Sequence, residues 1–543
     1  MDEPKKSSKK EKNATKKATI NCLKGEKGVK NYNYDTSDEA TEKRMIEDSE
    51  DKKENNVPSH NFSEKDVMNC IGGNEDGDAA LFMRLNSGLF LYDITMEQWL
   101  YWNDTHWRHD VANNVFHEGM NKVKLIYENE ISRQFEFLEK YKGNKDLSDK
   151  HKSNIKKLTR RLYNISTHTR KKSILKLSSQ GTESLYVTGD KWDCKPLHVA
   201  FKNCVIDINT GKKVTPKQED YIKKSIKFNY NKKAKCEKWK KFLLEIFDGN
   251  KEMVDFVQVL IGYAFSGKVT HHIYPVFCGE KGRNGKTTFF EILKYVLGDM
   301  IGKIPSEFIM ESKFKKNAEA PDAILLTLQG KRIAWISETG KNDTLNVPKL
   351  KELSGGDTII GRPPYGRQAI EFKPTHTLFT VTNRRPRIPA GDNAIWKRVI
   401  LIEFLLSFVS NPEKKWERKA NPNLMEELKE EAEGIMNWII DGYQDFEQFG
   451  LNIPDSVLLQ TEEYRKDEDT IGHFIQDRCS TIDKNAFTSG KDLRAEYHDW
   501  CEENGYKGLG TKNFASDMKN RPGIEREKIR NIRGFSGIFI TKE

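Results

Sequence analysis

The stretch from 273 to 298 constrains the fold most: Ile-Tyr-Pro-Val-Phe-Cys-Gly-Glu-Lys-Gly-Arg-Asn-Gly-Lys-Thr-Thr, then an apolar-periodic segment. Val276 to Cys278 read as a short buried strand. Gly279, Gly282 and Gly285 mark a loop that needs unusual backbone angles. Lys286 and Thr287 open a helix whose apolar residues, Phe289, Phe290, Ile292, Leu293, Val296 and Leu297, recur at helical spacing. Strand, glycine loop ending in Gly-Lys-Thr, helix is an arrangement that cradles phosphates. Backbone N–H groups and the helix N-terminus point at the anion, Lys286 neutralises it, and the Thr287 hydroxyl can ligate magnesium. The generic pattern puts a glycine five residues before Gly285, where this chain has Glu280; the glycine sits one earlier, at Gly279. On this stretch alone a structural turn after a core strand competes with the phosphate reading.

A chain of 543 residues holds two to four domains with ample length for sizeable cores. Hydrophobic content of 36 % and charged content of 32 % describe a polar chain. No run reaches the roughly 18–20 apolar residues of a membrane span, and the N-terminus lacks an apolar signal core. The expected location is therefore cytoplasmic, in whatever cell the protein occupies, with no membrane partner. The eight cysteines form no Cys-x-x-Cys pair, which argues against a zinc ribbon and for reduced thiols. A net charge of +10 favours an acidic partner, nucleic acid first.

Residues 1–78 are poor in apolar residues and rich in Lys, Glu, Asp, Asn and Ser, and read as a disordered charged tail. Residues 79–235 read as a basic α+β lead-in domain. In it, the aromatics Trp99, Tyr101, Trp102 and Trp107 are spaced as core. The basic clusters Lys156–Arg161 and Arg170–Lys172 either meet phosphates or are simply solvated. Strands are expected over Phe201–Gly211 and Asp220–Tyr230, then helices over Trp239–Phe247 and Met253–Tyr263 around an Asp248-Gly249-Asn250 turn. A domain from 236 to 450 follows. It includes the strand Ile333–Ser337 running into Glu338, the strand from His376 into Asn383, and the strand Val399–Phe404 entered by Arg398. A Gly355-Gly356-Asp357 turn is expected to hold a hairpin, and 426–450 to be helical. The last part, 455–543, with three short helices and a closing strand, reads as a winged-helix-like domain.

Four ordered motifs together resemble the phage, plasmid and poxvirus-type primase–helicases, whose motor is a superfamily 3 helicase. They are Gly282-Arg-Asn-Gly-Lys-Thr-Thr288, Lys351-Glu-Leu-Ser-Gly-Gly-Asp357 with Arg362, Thr380-Val-Thr-Asn383 with Arg387-Ile-Pro, and Ala394-Ile-Trp-Lys-Arg398. The resemblance covers about 80–543 and is strongest from Phe201 to Phe404. It implies an α/β, AAA+-like P-loop NTPase core and a ring, usually a homo-hexamer, that hydrolyses ATP with Mg2+ between protomers and moves along single-stranded DNA at a replication fork. Carried over residue by residue, Gly279, Gly282, Asn284, Gly285, Lys286, Thr287 and Thr288 bind ATP, and Thr287 and Glu338 hold the metal. Glu338 also activates water, Asn383 senses the γ-phosphate, and Arg398 is an arginine finger acting in trans. Lys351 and Arg362 face DNA. Ser337 stands where a second acid is often found, which leaves Glu338 with both metal and base duties.

The first 78 residues cannot house a primase, and no convincing Asp-x-Asp pair follows, so priming is expected from a separate primase or polymerase. A second reading is an ATP-regulated origin-binding initiator or helicase loader. A third, a small-molecule kinase, fits neither the Gly355–Asp357 signature nor the basic C-terminus.

Overall fold

Helix formation starts at Ser63. Its hydroxyl accepts the Asp66 N–H, and the Asp66 carboxylate accepts the Ser63 N–H, a reciprocal capping box. It launches α1 (Glu64–Gly72), followed by α2 (Asn74–Asn86). The computed structural model describes residues 62–181, 183–311, 323–337, 344–362 and 369–541, and every element below belongs to the unit Ser63–Glu543. Order expected only from Ala79 thus begins earlier, and the assignment of 63–78 to a disordered tail is corrected; the tail before residue 62 lies outside the described residues.

The physical reason is one carboxylate. Asp78 is fully buried and accepts hydrogen bonds from Tyr127 Oη at 2.6 Å, Arg161 Nη1 at 2.9 Å and Arg170 Nη2 at 2.6 Å. The two arginines, from clusters expected either to meet phosphates or to be solvated, are spent on this internal charge network. They lie on α4 (Lys145–Ser166) and α5 (His168–Ser178), which follow the long α3 (Met120–Lys140). Between α2 and α3 run β1 (Phe90–Asp93), β2 (Gln98–Trp102) and β3 (Trp107–His109), and β4 (Tyr186–Val187) completes their sheet in the order β3-β2-β1-β4.

Next, β5 (His198–Ala200), β6 (Val205–Asp207) and β7 (Lys212–Val214) form an antiparallel trio. The strand expected over Asp220–Tyr230 does not form; only Ser225 bridges to Ala200. Tyr221 turns the chain at φ +46°, and the N–H groups of Lys223 and Lys224 are taken by the Asp193 carboxylate at 2.8 and 3.0 Å instead of a ladder.

Helices α6 (Glu237–Ile246) and α7 (Lys251–Ser266) come next, with Asn250 capping the Met253 N–H at 3.0 Å. The central region then runs β8 (Tyr274–Cys278), α8 (Lys286–Leu297), β9 (Ile301–Ile304), α9 (Ala323–Thr327), β10 (Ile333–Ser337) and α10 (Val347–Ser354). It continues through β11 (Ile359–Gly361), β12 (Ile370–Phe372), β13 (Thr377–Thr382), α11 (Asn393–Trp396) and β14 (Val399–Glu403). The sheet order is β14-β8-β13-β10-β9, every pairing parallel.

Parallel strands buried on both faces read as continuous apolar runs, and alternate residues serve opposite cores. Phe277, Trp335, Phe379 and Ile402 join the core shared with α6, α7, α8 and the later helix over 432–449. Val276, Ile336, Leu378 and Leu401 join the other, with Leu350 and Leu353 of α10 and Ile395 of α11. Each fully buried Leu, Ile or Phe contributes about 1.5–3 kcal/mol relative to exposure.

Gly355 and Gly356 end α10 rather than turn a hairpin; the hairpin is the pair β11–β12, registered Ile359 with Phe372, and its tip lies outside the described residues. After β14, β15 (Ser407–Val409) pairs with β16 (Glu417–Lys419). The helix expected over 426–450 is split into α12 (Leu424–Lys429) and α13 (Ala432–Phe449). The break frees Glu431, whose carboxylate accepts the N–H groups of Lys238 and Trp239 at 3.0 and 2.9 Å and so caps α6.

The C-terminal part has α14 (Asp455–Asp467), α15 (Thr470–Arg478), β17 (Cys479–Ser480), β18 (Phe487–Ser489), α16 (Gly490–Glu503) and α17 (Thr511–Lys519). It closes with β19 (Glu525–Ile529), β20 (Ile532–Ser536) and β21 (Phe539–Ile540). β18, β20 and β19 form an antiparallel sheet over a core of Phe474, Tyr497, Trp500, Phe514 and Phe535.

Candidate functional site

The glycine loop leaves the carboxyl end of β8 and enters α8. Gly279 donates its N–H to the Thr382 carbonyl of β13 at 3.2 Å, which pins the loop to the neighbouring strand. A Cβ on Gly279 would lie 2.1 Å from Asn284 Nδ2, 2.9 Å from Lys286 Nζ and 2.9 Å from the Phe404 carbonyl oxygen, so only glycine fits. This close approach accounts for a glycine here rather than at position 280. Gly285 sits at φ +86°, and Gly282 and Arg283 also have positive φ, so the loop coils tightly before the helix. The first intrahelical bond of α8 runs from the Phe289 N–H to the Gly285 carbonyl at 2.9 Å. The N–H groups of Lys286, Thr287 and Thr288 therefore stand outside the helical ladder, and no side chain caps them. Thr287 is exposed and Thr288 half-buried in this first turn.

Lys286 is buried, and its ammonium donates to three neutral oxygens: the Gly279 carbonyl at 3.1 Å, Asn284 Oδ1 at 2.8 Å and Asn383 Oδ1 at 3.0 Å. Asn284 Nδ2 in turn donates to the Gly279 carbonyl at 2.8 Å. Burial lowers the Lys286 pKa to about 8. A cation held by neutral acceptors at a helix N-terminus is a receptor for an anion, since the charge is placed and uncompensated. Asn383 is exposed just beyond β13, so the loop and the second strand end meet at Lys286.

The other candidate residues lie elsewhere. Glu338 follows β10 but is outside the described residues. Arg398 precedes β14, at the amino end of the sheet. Val399 pairs with Tyr274 and Glu403 with Cys278, so the glycine loop and Arg398 sit at opposite strand ends. Four steps at about 3.3 Å separate them by roughly 13 Å along the strand. Arg398 Nη1 donates to the Lys351 carbonyl and to Ser354 Oγ, each at 2.9 Å, tying it to the end of α10. Lys351 Nζ pairs with Asp392 at 2.8 Å, whose other oxygen caps α11. Arg362 is exposed at the end of β11.

Two arrangements at the loop rim escaped sequence reading. Arg385 bridges Glu403 and Asp467, each at 2.8 Å, joining the ends of β13, β14 and α14. Lys281 stacks on the Trp416 ring at 4.3 Å. Neither has a local signal, because the partners are far apart in the chain. Among the described residues no group of three or more His, Cys, Asp or Glu is placed to hold a metal, and no helix is long and apolar enough to cross a membrane.

Comparison with known proteins adds family information. Residues 79–248 match the family described as "D5 N terminal like", and residues 277–398 match a family of unknown function, DUF5906. A protein of Acanthamoeba polyphaga mimivirus named "Putative helicase L207/L206" is 27 % identical over 336 residues, 59 % of this chain and 34 % of that one. Invertebrate iridescent virus 6 has a "Putative helicase 184R" that is 25 % identical over 342 residues, 57 % of this chain and 34 % of its own. A protein of African swine fever virus named a "Putative primase" is 26 % identical over 215 residues, 36 % of this chain and 21 % of its own. The chain thus spans about a third or less of the length of these relatives. Among solved structures, "The A form apo structure of NrS-1 C terminal region-CTR" aligns with a TM-score of 0.39 at 13 % identity, covering 84 % of this chain and 97 % of that one.

Proposed function

We infer, from the premise that the chain belongs to the phage and viral primase–helicase family, that it is an ATP-driven replicative helicase motor acting on DNA. The observation that carries this reading is the Lys286 ammonium, held between Asn284 and Asn383 at the carboxyl ends of two adjacent parallel strands. In open α/β sheets ligands bind at such strand ends. The proposed fold is an AAA+-like P-loop core of superfamily 3 type, followed by a winged-helix-like C-terminal domain.

In this reading Gly279, Gly282 and Gly285 let the backbone close on the phosphates, and Asn284 holds the loop shape. The first-turn N–H groups of Lys286, Thr287 and Thr288 bind the β- and γ-phosphates together with the Lys286 ammonium. Asn383, now sharing Lys286, exchanges that bond for the γ-phosphate or the lytic water. The Thr287 hydroxyl and Glu338 would hold magnesium, which would supply positive charge beside the phosphates. Glu338 orients water. Arg398 serves a neighbouring protomer, because its own site is at the far strand end, which favours a ring. Lys351 and Arg362 face single-stranded DNA, with Lys351 steadied by its ion pair to Asp392.

The test is ATP hydrolysis by wild type and Lys286→Ala, with and without single-stranded DNA, across a salt series. Salt-sensitive stimulation by DNA that vanishes in the variant is expected. Hydrolysis indifferent to DNA would favour the loader reading, and full hydrolysis by Lys286→Ala would remove the proposal.

A further inference from the structure

Trp416 stands at the rim of the glycine loop with 39 % of its surface exposed, and its ring belongs to neither core of the parallel sheet. A lone exposed apolar side chain needs no explanation. This one is tied to the loop itself. Phe408 of β15 donates its N–H to the Arg283 carbonyl of the loop at 2.8 Å, and Lys281 Nζ of the loop donates to the Leu405 carbonyl at 3.3 Å. Next to Phe408, the Ser407 N–H donates to the Trp416 carbonyl at 2.9 Å. On the other side of Trp416, Arg418 pairs with Asp248, just past α6, at 2.9 Å. The backbone of Trp416 is thus anchored on both sides while its ring faces outward. Two ammonium groups lie over that ring, Lys281 Nζ at 4.3 Å and Lys414 Nζ at 5.5 Å from the centroid.

Sheet order fixes the side of the loop on which this rim lies. The strand that launches the loop, β8, has β13 on one side and β14 on the other. Asn383 reaches Lys286 from the β13 side. A triphosphate with its terminal phosphate at Asn383 therefore directs its nucleoside end away from β13, toward the continuation of β14. That continuation passes close to the phosphate cradle: the Phe404 ring centroid is 5.8 Å from Lys286 Nζ. Trp416 follows twelve residues later and returns to the same loop through Lys281.

We propose that Trp416 is the platform on which the base of the bound nucleoside triphosphate stacks. An indole is a large, rigid aromatic face, and every base has a π-face to lay on it. The ammonium groups over the ring do not block this use. An exposed cation–π contact is worth about two- to fivefold in an equilibrium, and a base stacked on an aromatic ring about 5- to 150-fold. Lys281 and Lys414 are both exposed and can move aside, and Lys281, on the loop itself, is then freed for the phosphates of the same ligand. The proposal rests on the nucleotide-binding part of the reading above and adds the group that holds the nucleoside end. A base supplied instead by single-stranded DNA has the same stacking chemistry, and the experiment separates the two.

The experiment uses the full chain and titration calorimetry with magnesium and either of two probes. The non-hydrolysable β,γ-imido analogue of ATP carries a base; inorganic tripolyphosphate carries none. Wild type, Trp416→Ala and Trp416→Phe are compared, and fluorescence anisotropy with a labelled single strand is run on all three. Trp416→Ala is expected to bind the analogue about 5- to 150-fold more weakly and tripolyphosphate as wild type does. Trp416→Phe should recover most of the analogue's affinity, because an aromatic face is kept. Single-strand affinity should be the same in all three. Unchanged analogue affinity in Trp416→Ala would overturn the proposal. Equal losses for both probes would also overturn it and make Trp416 a prop of the loop. A loss of single-strand affinity with the analogue unaffected would overturn it in favour of a DNA contact. If wild type binds neither probe, the nucleotide reading fails and takes this proposal with it. Selective loss of the analogue in a chain whose hydrolysis ignores DNA would drop the motor and keep the platform.

Discussion

Arg398 offers the sharpest test, because the structure gives it an internal task while the family resemblance assigns it to a neighbour's nucleotide. Its guanidinium holds the end of α10 through the Lys351 carbonyl and Ser354 hydroxyl, both at 2.9 Å. Removing a charge-assisted pair of this kind from a half-buried site costs about 1–3 kcal/mol of stability. An arginine finger, by contrast, is worth roughly 10³–10⁵ in turnover. Arg398→Ala is therefore expected to melt slightly earlier, bind nucleotide nearly as wild type does, and lose hydrolysis by at least three orders of magnitude. Local disorder of α10 could also silence the site, so the decisive assay is mixing. A protomer lacking Arg398 retains Glu338, and a Glu338→Ala protomer retains Arg398; where the two meet in the right order the interface is complete. Random equal mixing into head-to-tail rings makes about a quarter of interfaces complete, so activity near a quarter of wild type is expected. No recovery on mixing, or near-normal hydrolysis by Arg398→Ala alone, would refute a finger acting in trans and leave Arg398 as a clamp on α10.

Other outcomes follow from the same geometry. Since burial holds the Lys286 pKa at about 8, below the ordinary lysine value, the charged receptor is present at neutral pH. It is lost in the nucleotide-free protein as pH rises through about 8. Bound phosphate stabilises the charged form, so nucleotide affinity should fall from pH 7.5 to 9.5 by up to about tenfold per unit, measured by titration calorimetry; a flat profile would contradict it. Gly279→Ala forces a methyl against Asn284, Lys286 and the Phe404 carbonyl. Overpacking there costs about 1–3 kcal/mol, and nucleotide binding should drop far more than thermal stability does. Asp78→Ala leaves Arg161 and Arg170 without their buried carboxylate. Its unfolding free energy should fall by about 3–5 kcal/mol in a denaturant titration, and a change below about 1 kcal/mol would show that the network is not structural.

Much of the core was legible locally. Short apolar runs at 274–278, 333–337, 377–382 and 399–403 announced strands buried on both faces, because such strands need no polar side. The glycine loop was legible for a related reason: a tight coil before a helix demands glycine where φ is positive. The ordered start near Ser63 was not legible, since the apolar stripe of α2 (Ala79, Leu81, Phe82, Leu85) begins only after Asp78, while residues 63–78 bury Val67 and are tied down through Asp78 by distant charges on α4 and α5. Nor was the failed strand over Asp220–Tyr230, whose N–H groups are satisfied by the Asp193 carboxylate.

What the sequence by itself determined was the strand, glycine loop and helix in succession over 274–297, because the spacing of Gly279, Gly285 and the apolar residues after Lys286 acts over a few residues of one chain segment. What only the tertiary structure decided was company. It brought Asn383 onto Lys286, put Arg398 at the opposite end of the sheet, and diverted Lys351 to Asp392. Such pairings depend on strand register and side-chain direction across distant segments, and no local spacing encodes them.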